Sequence, residues 1–288
     1  MRQLILRSNS FPSVAGRCAK RRCSAAHRCV ILQFKERTTV NDYILEVGTK
    51  GFDRLKFLND VFGEHSRNFL SRAGLREGQE ILEIGCGTGS MTTWIAQRVG
   101  ETGHVIAVDV SDKQIEIAKQ SVRNLGISNV TFLCSTVEDL DLENNSADLV
   151  YARFLLMHLK DVKYVLQKIK AKLKSGGVVA LEEPHSSSLE TIPTNESIEK
   201  LNKLFVQLGR SQGFNFDIGK DLFTLLRDTG YTNLRGCFVQ PIISMDAAID
   251  FVLMGASEVA PIVTKFGMLN ADEADQIKLN LKKFETRP

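Results

Sequence analysis

No stretch of the sequence approaches the roughly eighteen consecutive apolar residues that a membrane-spanning helix needs. Cysteine is scarce. The six are Cys18, Cys23, Cys29, Cys86, Cys134 and Cys237, too few for a disulfide framework and without the paired spacing of a zinc site. Cys18, Cys23 and His27 are spaced too loosely and have too few partners to predict a bound metal, so the expectation is no metal and a reducing compartment. The first thirty residues contain no acid at all, yet hold seven basic residues: Arg2, Arg7, Arg17, Lys20, Arg21, Arg22 and Arg28. The rest of the chain then carries 30 basic and 34 acidic residues, a formal charge of −4. A mildly acidic body lacks the basic footprint of a nucleic-acid binder. Internal repeats and low-complexity tracts are also missing, which excludes solenoids and arrays.

What is present is a soluble globular composition, 43% hydrophobic and 25% charged, on a chain long enough to bury a core without staples. The acid-free head resembles an organellar transit peptide but has no secretory apolar core. The plainer reading is an extension outside the fold, and a nucleic-acid or lipid-binding arm is the third. Residues 1–40 are therefore expected to be a basic, disordered extension, with 1–30 dispensable for ligand binding. The expected location is the cytoplasm. A mitochondrial or other organellar matrix is the alternative, should 1–30 act as a transit peptide.

Leu55, Leu58, Phe62 and Phe69 follow helical spacing, so 41–77 reads as an N-terminal helical lid. Strand candidates then alternate with helices: Glu80–Ile84, His104–Val108, Val130–Cys134, Ala147–Tyr151 and Gly177–Leu181. Short apolar strands between helices predict a Rossmann-like α/β fold, with a mainly parallel central sheet and helices on both faces. Ser111 and Gln114 predict a capping box, and Leu155 to Leu173 a helical stripe. Residues 78–184 form the expected core domain. Residues 185–288 are expected to add cover helices, a sixth strand at Gly236–Ile243 broken by Pro241, and short helices near Ala247–Gly255 and Ala271–Lys282.

The most informative run is Ile81-Leu-Glu-Ile-Gly-Cys-Gly-Thr-Gly89, between a strand and a helix. Glycines there allow a tight turn and close approach of a ligand to the backbone. A dinucleotide fingerprint wants glycine where Ser90 stands, and a P-loop wants a lysine that does not follow Gly89. Asp109 ends the second strand, where a carboxylate can accept hydrogen bonds from both hydroxyls of a ribose. Its plainer role is to start the next helix.

With these motifs the chain resembles the class I S-adenosylmethionine-dependent methyltransferases. Glu83-Ile-Gly-Cys-Gly-Thr-Gly89 is similar to the family's first motif and Val108-Asp109 to its second. Cys134-Ser-Thr-Val-Glu138-Asp139 is similar to the loop after strand three, and Asp148-Leu-Val-Tyr-Ala-Arg153 to strand four. Leu173-Lys-Ser-Gly-Gly177 resembles the turn before strand five, with Ser175 in place of proline. The group it most resembles contains ubiquinone, menaquinone and natural-product methyltransferases. The resemblance implies S-adenosyl-L-methionine as cofactor. Gly85, Cys86, Gly87, Thr88 and Gly89 would wrap its methionine part, and Glu83 would steady that loop. Asp109 would hold the ribose, Val110, Val137 and Glu138 would surround the adenine, and Arg153 would lie near the methionine end. Tyr43 would belong to a lid over the cofactor. The family's antiparallel seventh strand has no convincing counterpart after Ile243, so the C-terminus is expected to be atypical; Ala260–Phe266 is a weak candidate.

Methyl transfer is an in-line displacement at a carbon already activated by positive sulfur, so it mainly requires alignment and exclusion of water. A base helps only some acceptors. His158 and His185 are the candidate bases, and each has a structural alternative. The expected partner is a small-molecule methyl acceptor, with a homodimer left open. Two other readings stand beside methyl transfer to a small molecule: a cofactor-binding protein or non-methyltransferase enzyme on the same fold, and a protein or RNA methyltransferase.

Overall fold

The computed structural model describes residues 2–7 and 49–285. Tyr43, Cys18, Cys23 and His27 lie outside the described residues. In chain order the elements are β1 (Arg2–Arg7), α1 (Thr49–Ala73), β2 (Glu80–Ile84), α2 (Ser90–Val99), β3 (His104–Asp109), α3 (Asp112–Asn124), β4 (Val130–Cys134), β5 (Ala147–Arg153), α4 (Val162–Lys172), β6 (Leu173–Glu183), α5 (Glu196–Ser211), α6 (Leu222–Asp228), β7 (Thr232–Phe238), α7 (Met245–Lys265) and α8 (Ala271–Glu285).

The seven strands form one sheet in the order β4-β3-β2-β5-β6-β1-β7. The pairs from β4 through β6 are parallel. Strand order reverses at β2: the chain runs outward through β3 and β4, then returns to β5 on the other side. Such a reversal opens a crevice at the C-terminal strand ends, and the glycine run lies there. Alternate residues of the buried strands feed two apolar cores. Leu82, Ile84, Val150, Leu166 and Phe216 belong to one, and Ile81, Ile95, Leu149, Phe69 and Leu70 to the other. The α/β expectation therefore holds.

Several finer expectations do not. The sheet does have an antiparallel member beside β6, supplied by β1 from the head. Arg2 pairs with Glu183 and Phe238, and Arg7 with Val178 and Thr232. The expected extension thus contributes at least these six residues to the fold. They were concealed because their apolar run is only Leu4–Leu6, bracketed by Arg2 and Arg7 in an acid-free, arginine-rich head. The sixth strand falls at Thr232–Phe238, ahead of Pro241, which lacks the N–H a ladder needs. Ala260–Phe266 falls almost wholly in helix α7 rather than a strand. Leu156–His158 makes a single 3₁₀ turn, and the helix begins later at Val162, where Asp161 accepts the Tyr164 N–H at 3.1 Å. Only half of the capping box forms. Ser111 Oγ accepts the Gln114 N–H at 3.4 Å, while Gln114 Oε1 is buried without a hydrogen bond.

Helices α5, α7 and α8 share a third apolar cluster that includes Leu204, Leu208, Val263, Ile277 and Leu281. This cap reaches α1 through Phe57, whose ring stacks on Phe251 of α7 with centroids 4.7 Å apart. The helical cap and the N-terminal helix meet, rather than standing as separate additions.

Candidate active site

The glycine run turns sharply between β2 and α2. Gly85, Gly87 and Gly89 all have left-handed φ values, of 74°, 53° and 79°. A Cβ on Gly89 would stand 2.8 Å from Ala118 Cβ, so both the backbone angle and the packing on α3 demand glycine there. Two loop amides, Gly85 and Cys86, donate to Val108 O at 2.8 and 3.0 Å. The loop is thereby pinned to the end of β3.

Asp109 adds a second pin. Its Oδ2 accepts the Gly87 N–H and its Oδ1 the Ser111 N–H, each at 2.9 Å. Its plainer role, at the start of α3, is therefore present. Burial raises its carboxyl above the usual range, partly opposed by the Ser111, Gly87 and Val110 amides. Val110 is half-buried beside it, and Val137 is buried in the core at the next strand end.

Two acid oxygens at the crevice lack hydrogen bonds. Glu83 is 3% exposed, and its Oε2 is buried without a partner atom. Burial lifts its carboxyl to about 7, while Thr92 and the Arg153 charge pull it down and Asp109 pushes it up. Thr92 Oγ1 lies close enough to act on Glu83, although it makes no hydrogen bond of regular geometry. Glu138 Oε2 is likewise buried without a hydrogen bond. Unsatisfied buried acceptors are costly unless a ligand completes them. A zwitterionic amino acid joined to adenosine offers an ammonium and an adenine amino group as donors. The residues present therefore fit S-adenosylmethionine, and the absence of a lysine in the loop fits its lack of phosphates.

Arg153 reaches α1: Nη1 donates to Ser66 Oγ at 3.2 Å and Nη2 to Asn59 Oδ1 at 3.4 Å. The next residue, Phe154, holds φ 55°, unusual for a bulky side chain. Its N–H donates to Glu182 O at 2.8 Å and its ring meets Phe62 edge-on, so neighbours on two elements hold the strained turn. Leu55 of α1 leans on the loop closely enough that a Cβ on Gly87 would stand 3.2 Å from its Cδ1.

The two candidate bases differ. His158 is buried, edge-on to Phe216 with centroids 5.6 Å apart. Burial, helped by the Arg54 charge, lowers its imidazole to about 3. It is a neutral, weakly basic ring at ordinary pH. His185 is half-buried after β6, near the ring of Phe238 at 5.9 Å. Glu183 serves the loop after β5: its oxygens accept the N–H groups of Leu155, Leu156 and Met157 at 2.9, 2.7 and 3.3 Å. Burial raises this carboxyl to about 8 against those three donors. Cys86 is also buried and its thiol is raised well above its usual value, so it is no nucleophile.

Sequence reasoning missed Ser66, Glu182 and Phe154. A groove of about 460 Å³, lined by His65, Asn68, Ser71, Arg72 and Val239, contains none of the glycine-run residues and is separate from this crevice. Among the described residues, no three His, Cys, Asp or Glu side chains gather as metal ligands, and no helix is long and apolar enough to cross a membrane.

Comparison with known proteins agrees with this geometry. A family model described as a methyltransferase domain matches residues 75–227, just over half of the chain. A demethylmenaquinone methyltransferase of Staphylococcus aureus is 27% identical over 205 residues, covering 65% of this chain and 83% of that protein. The solved YcgJ protein of Bacillus subtilis is 19% identical and covers 74% of this chain and 88% of its own, with a TM-score of 0.50, a likeness of fold.

Proposed function

Since this chain belongs to the methyltransferase-domain family and is an S-adenosylmethionine-dependent enzyme, we propose that it methylates an oxygen, nitrogen or carbon of a small organic molecule. The carrying observation is that α1 touches both sides: Leu55 leans on the glycine run, and Phe57 stacks on Phe251 of α7 in the helical cap. A crevice closed over by these helices would suit an enclosed acceptor better than an extended RNA or protein strand. The name of the demethylmenaquinone relative supports an organic acceptor without assigning that pathway to this chain.

The bound cofactor supplies a methyl group on positively charged sulfur. The chain's own residues bind, orient and exclude water. The N–H groups of Gly85, Cys86, Gly87 and Gly89 are given to acceptors within the protein, so the Thr88 amide, just ahead of α2, is the one that would serve the carboxylate end of the methionine part. Glu83 takes the ammonium, Asp109 the ribose hydroxyls, and Val110, Val137 and Glu138 surround the adenine. His158, held neutral by burial, orients the turn after β5 rather than removing a proton. Where the acceptor needs deprotonation, His185, half-buried after β6, is the imidazole assigned to that work. Acceptors that arrive ionised, or as free amines, need neither.

The test combines calorimetry with an acceptor screen. S-adenosylmethionine is expected to bind and nicotinamide dinucleotide is not. S-adenosylhomocysteine should then form in the presence of a small acceptor. Robust methylation of RNA or protein, with no small acceptor used, would overturn the proposal.

A further inference from the structure

The C-terminal ends of β2, β5 and β6 place four polar side chains on the sheet face covered by α1 and α2. Register sets Glu83 opposite Tyr151, and Arg153 opposite Glu182. Neighbours opposite one another in a parallel sheet project from the same face. Glu182 is fully buried. Its Oε1 accepts the Tyr151 phenol at 2.5 Å, and its Oε2 accepts Ser66 Oγ at 3.1 Å. Ser66 is also fully buried, and its Oγ accepts a hydrogen bond from the Arg153 Nη1–H at 3.2 Å. A hydroxyl has one proton to give. Phe62 O stands 3.0 Å from Ser66 Oγ as a second acceptor, but a carboxylate competes better than a carbonyl. The order of donation is thus Arg153 to Ser66 to Glu182.

None of Ser66, Glu182 or Tyr151 belongs to the glycine run. Together they decide where the Arg153 guanidinium sits, and that guanidinium acts on Glu83. We propose that Ser66 and Glu182 are positioning residues for the cofactor's amino-acid end: they fix Arg153 beside Glu83 and so govern how Glu83 receives the ammonium of the methionine part. The inference rests on the S-adenosylmethionine reading.

The groups facing Glu83 are few. Arg153 comes from β5 and is the favourable charge; Asp109 from β3 is the unfavourable one. Tyr151 and Cys86 face it too, and burial raises both well above their usual values, so neither carries charge at neutral pH. Thr92 of α2 is uncharged. The ammonium of the ligand prefers an ionised Glu83, whose carboxyl stands at about 7 in the free protein. Binding should therefore weaken as pH falls through that value.

The experiment titrates the full chain with S-adenosylhomocysteine, which has the same amino-acid end, across a series of pH values. The parent protein is expected to show an affinity midpoint near 7. Ser66→Ala should move this midpoint upward by roughly half a unit to one unit, with affinity recovering at alkaline pH. Ser66→Thr, which restores the hydroxyl, should return it toward the parent value. Asn59→Ala, on the less buried flank of α1, should shift it in the same direction by less, and supplies the answer should Ser66→Ala fail to fold. A folded Ser66→Ala or Asn59→Ala whose midpoint does not move overturns the proposal. So does a loss of affinity equal at every pH, which marks a purely structural role. Failure of the parent protein to bind at any pH overturns the cofactor reading, and this inference with it.

Discussion

Asp109 serves the protein before it serves a ligand: one oxygen holds the glycine run and the other holds the start of α3. Asp109→Ala should therefore weaken S-adenosylmethionine binding by roughly tenfold to a hundredfold, the value of about 1.5–3 kcal/mol for charge-assisted hydrogen bonds. Calorimetry on a folded variant checks this, and unchanged affinity removes Asp109 from the site. His158 gives a second test. Its folded value, about 3, is depressed below the ordinary imidazole value of 6.5. The unfolded chain thus takes up the proton first, so the His158 contribution is complete above about pH 6.5 and is lost as pH falls toward 3. In His158→Phe, denaturation should show a shallower loss of stability across that window than the parent. The difference should grow by up to about 1.4 kcal/mol per pH unit. A variant with the parent's pH slope contradicts a buried neutral His158. These residues were legible to different degrees. The glycines and Asp109 announce themselves because a tight turn and a strand-end acid are local patterns. The neutral state of His158 is not legible, because Phe216 and Arg54 come from distant parts of the chain.

At the scale of elements, reading worked where a core face has a period and failed where a single residue decides a boundary. β2 and β4 fall where their apolar runs lie. The start of α4 depends on the Asp161 cap, and the preceding turn depends on Glu183, 27 residues after Leu156. The contact of α1 with the cap was invisible for the same reason: Phe57 and Phe251 share no local pattern. Phe57→Ala should loosen this contact. Aromatic pairs contribute about 0.5–1.5 kcal/mol beyond burial. The expected outcome is a higher KM for the acceptor, with cofactor affinity changed much less. Equal changes in both would place the contact outside acceptor recognition.

For the molecule as a whole, β1 links β6 to β7, and β7 pairs with β1 among the described strands. A chain shortened to begin at Asn41 loses this link. Its denaturation midpoint in urea should fall, because two ladders are lost together and the slope with urea should drop with the buried surface. The glycine run lies between β2 and α2, and β5 and β6 stand between it and β1, so a shortened chain that remains folded, with Glu182 still held by Tyr151 and Ser66, should keep most of its affinity. A midpoint equal to the parent's would show that β1 adds nothing to the sheet. The head was opaque in the sequence because its partners are more than 160 residues away, and pattern reading sees only neighbours.

That separation has a consequence for synthesis. The ribosome releases Arg2–Arg7 well before its partners, for its ladders need Val178–Glu183 and then Thr232–Phe238. At about 5–20 residues per second, the segment waits on the order of ten to fifty seconds for its second neighbour. During that interval Leu4, Ile5 and Leu6 form an unpaired apolar triplet, the kind of segment that seeks strands on other nascent chains. Arg2 and Arg7 bracket it. Charges in flanking positions discourage such stacking, so the same two arginines that obscure the strand in the sequence also protect it until the sheet can receive it.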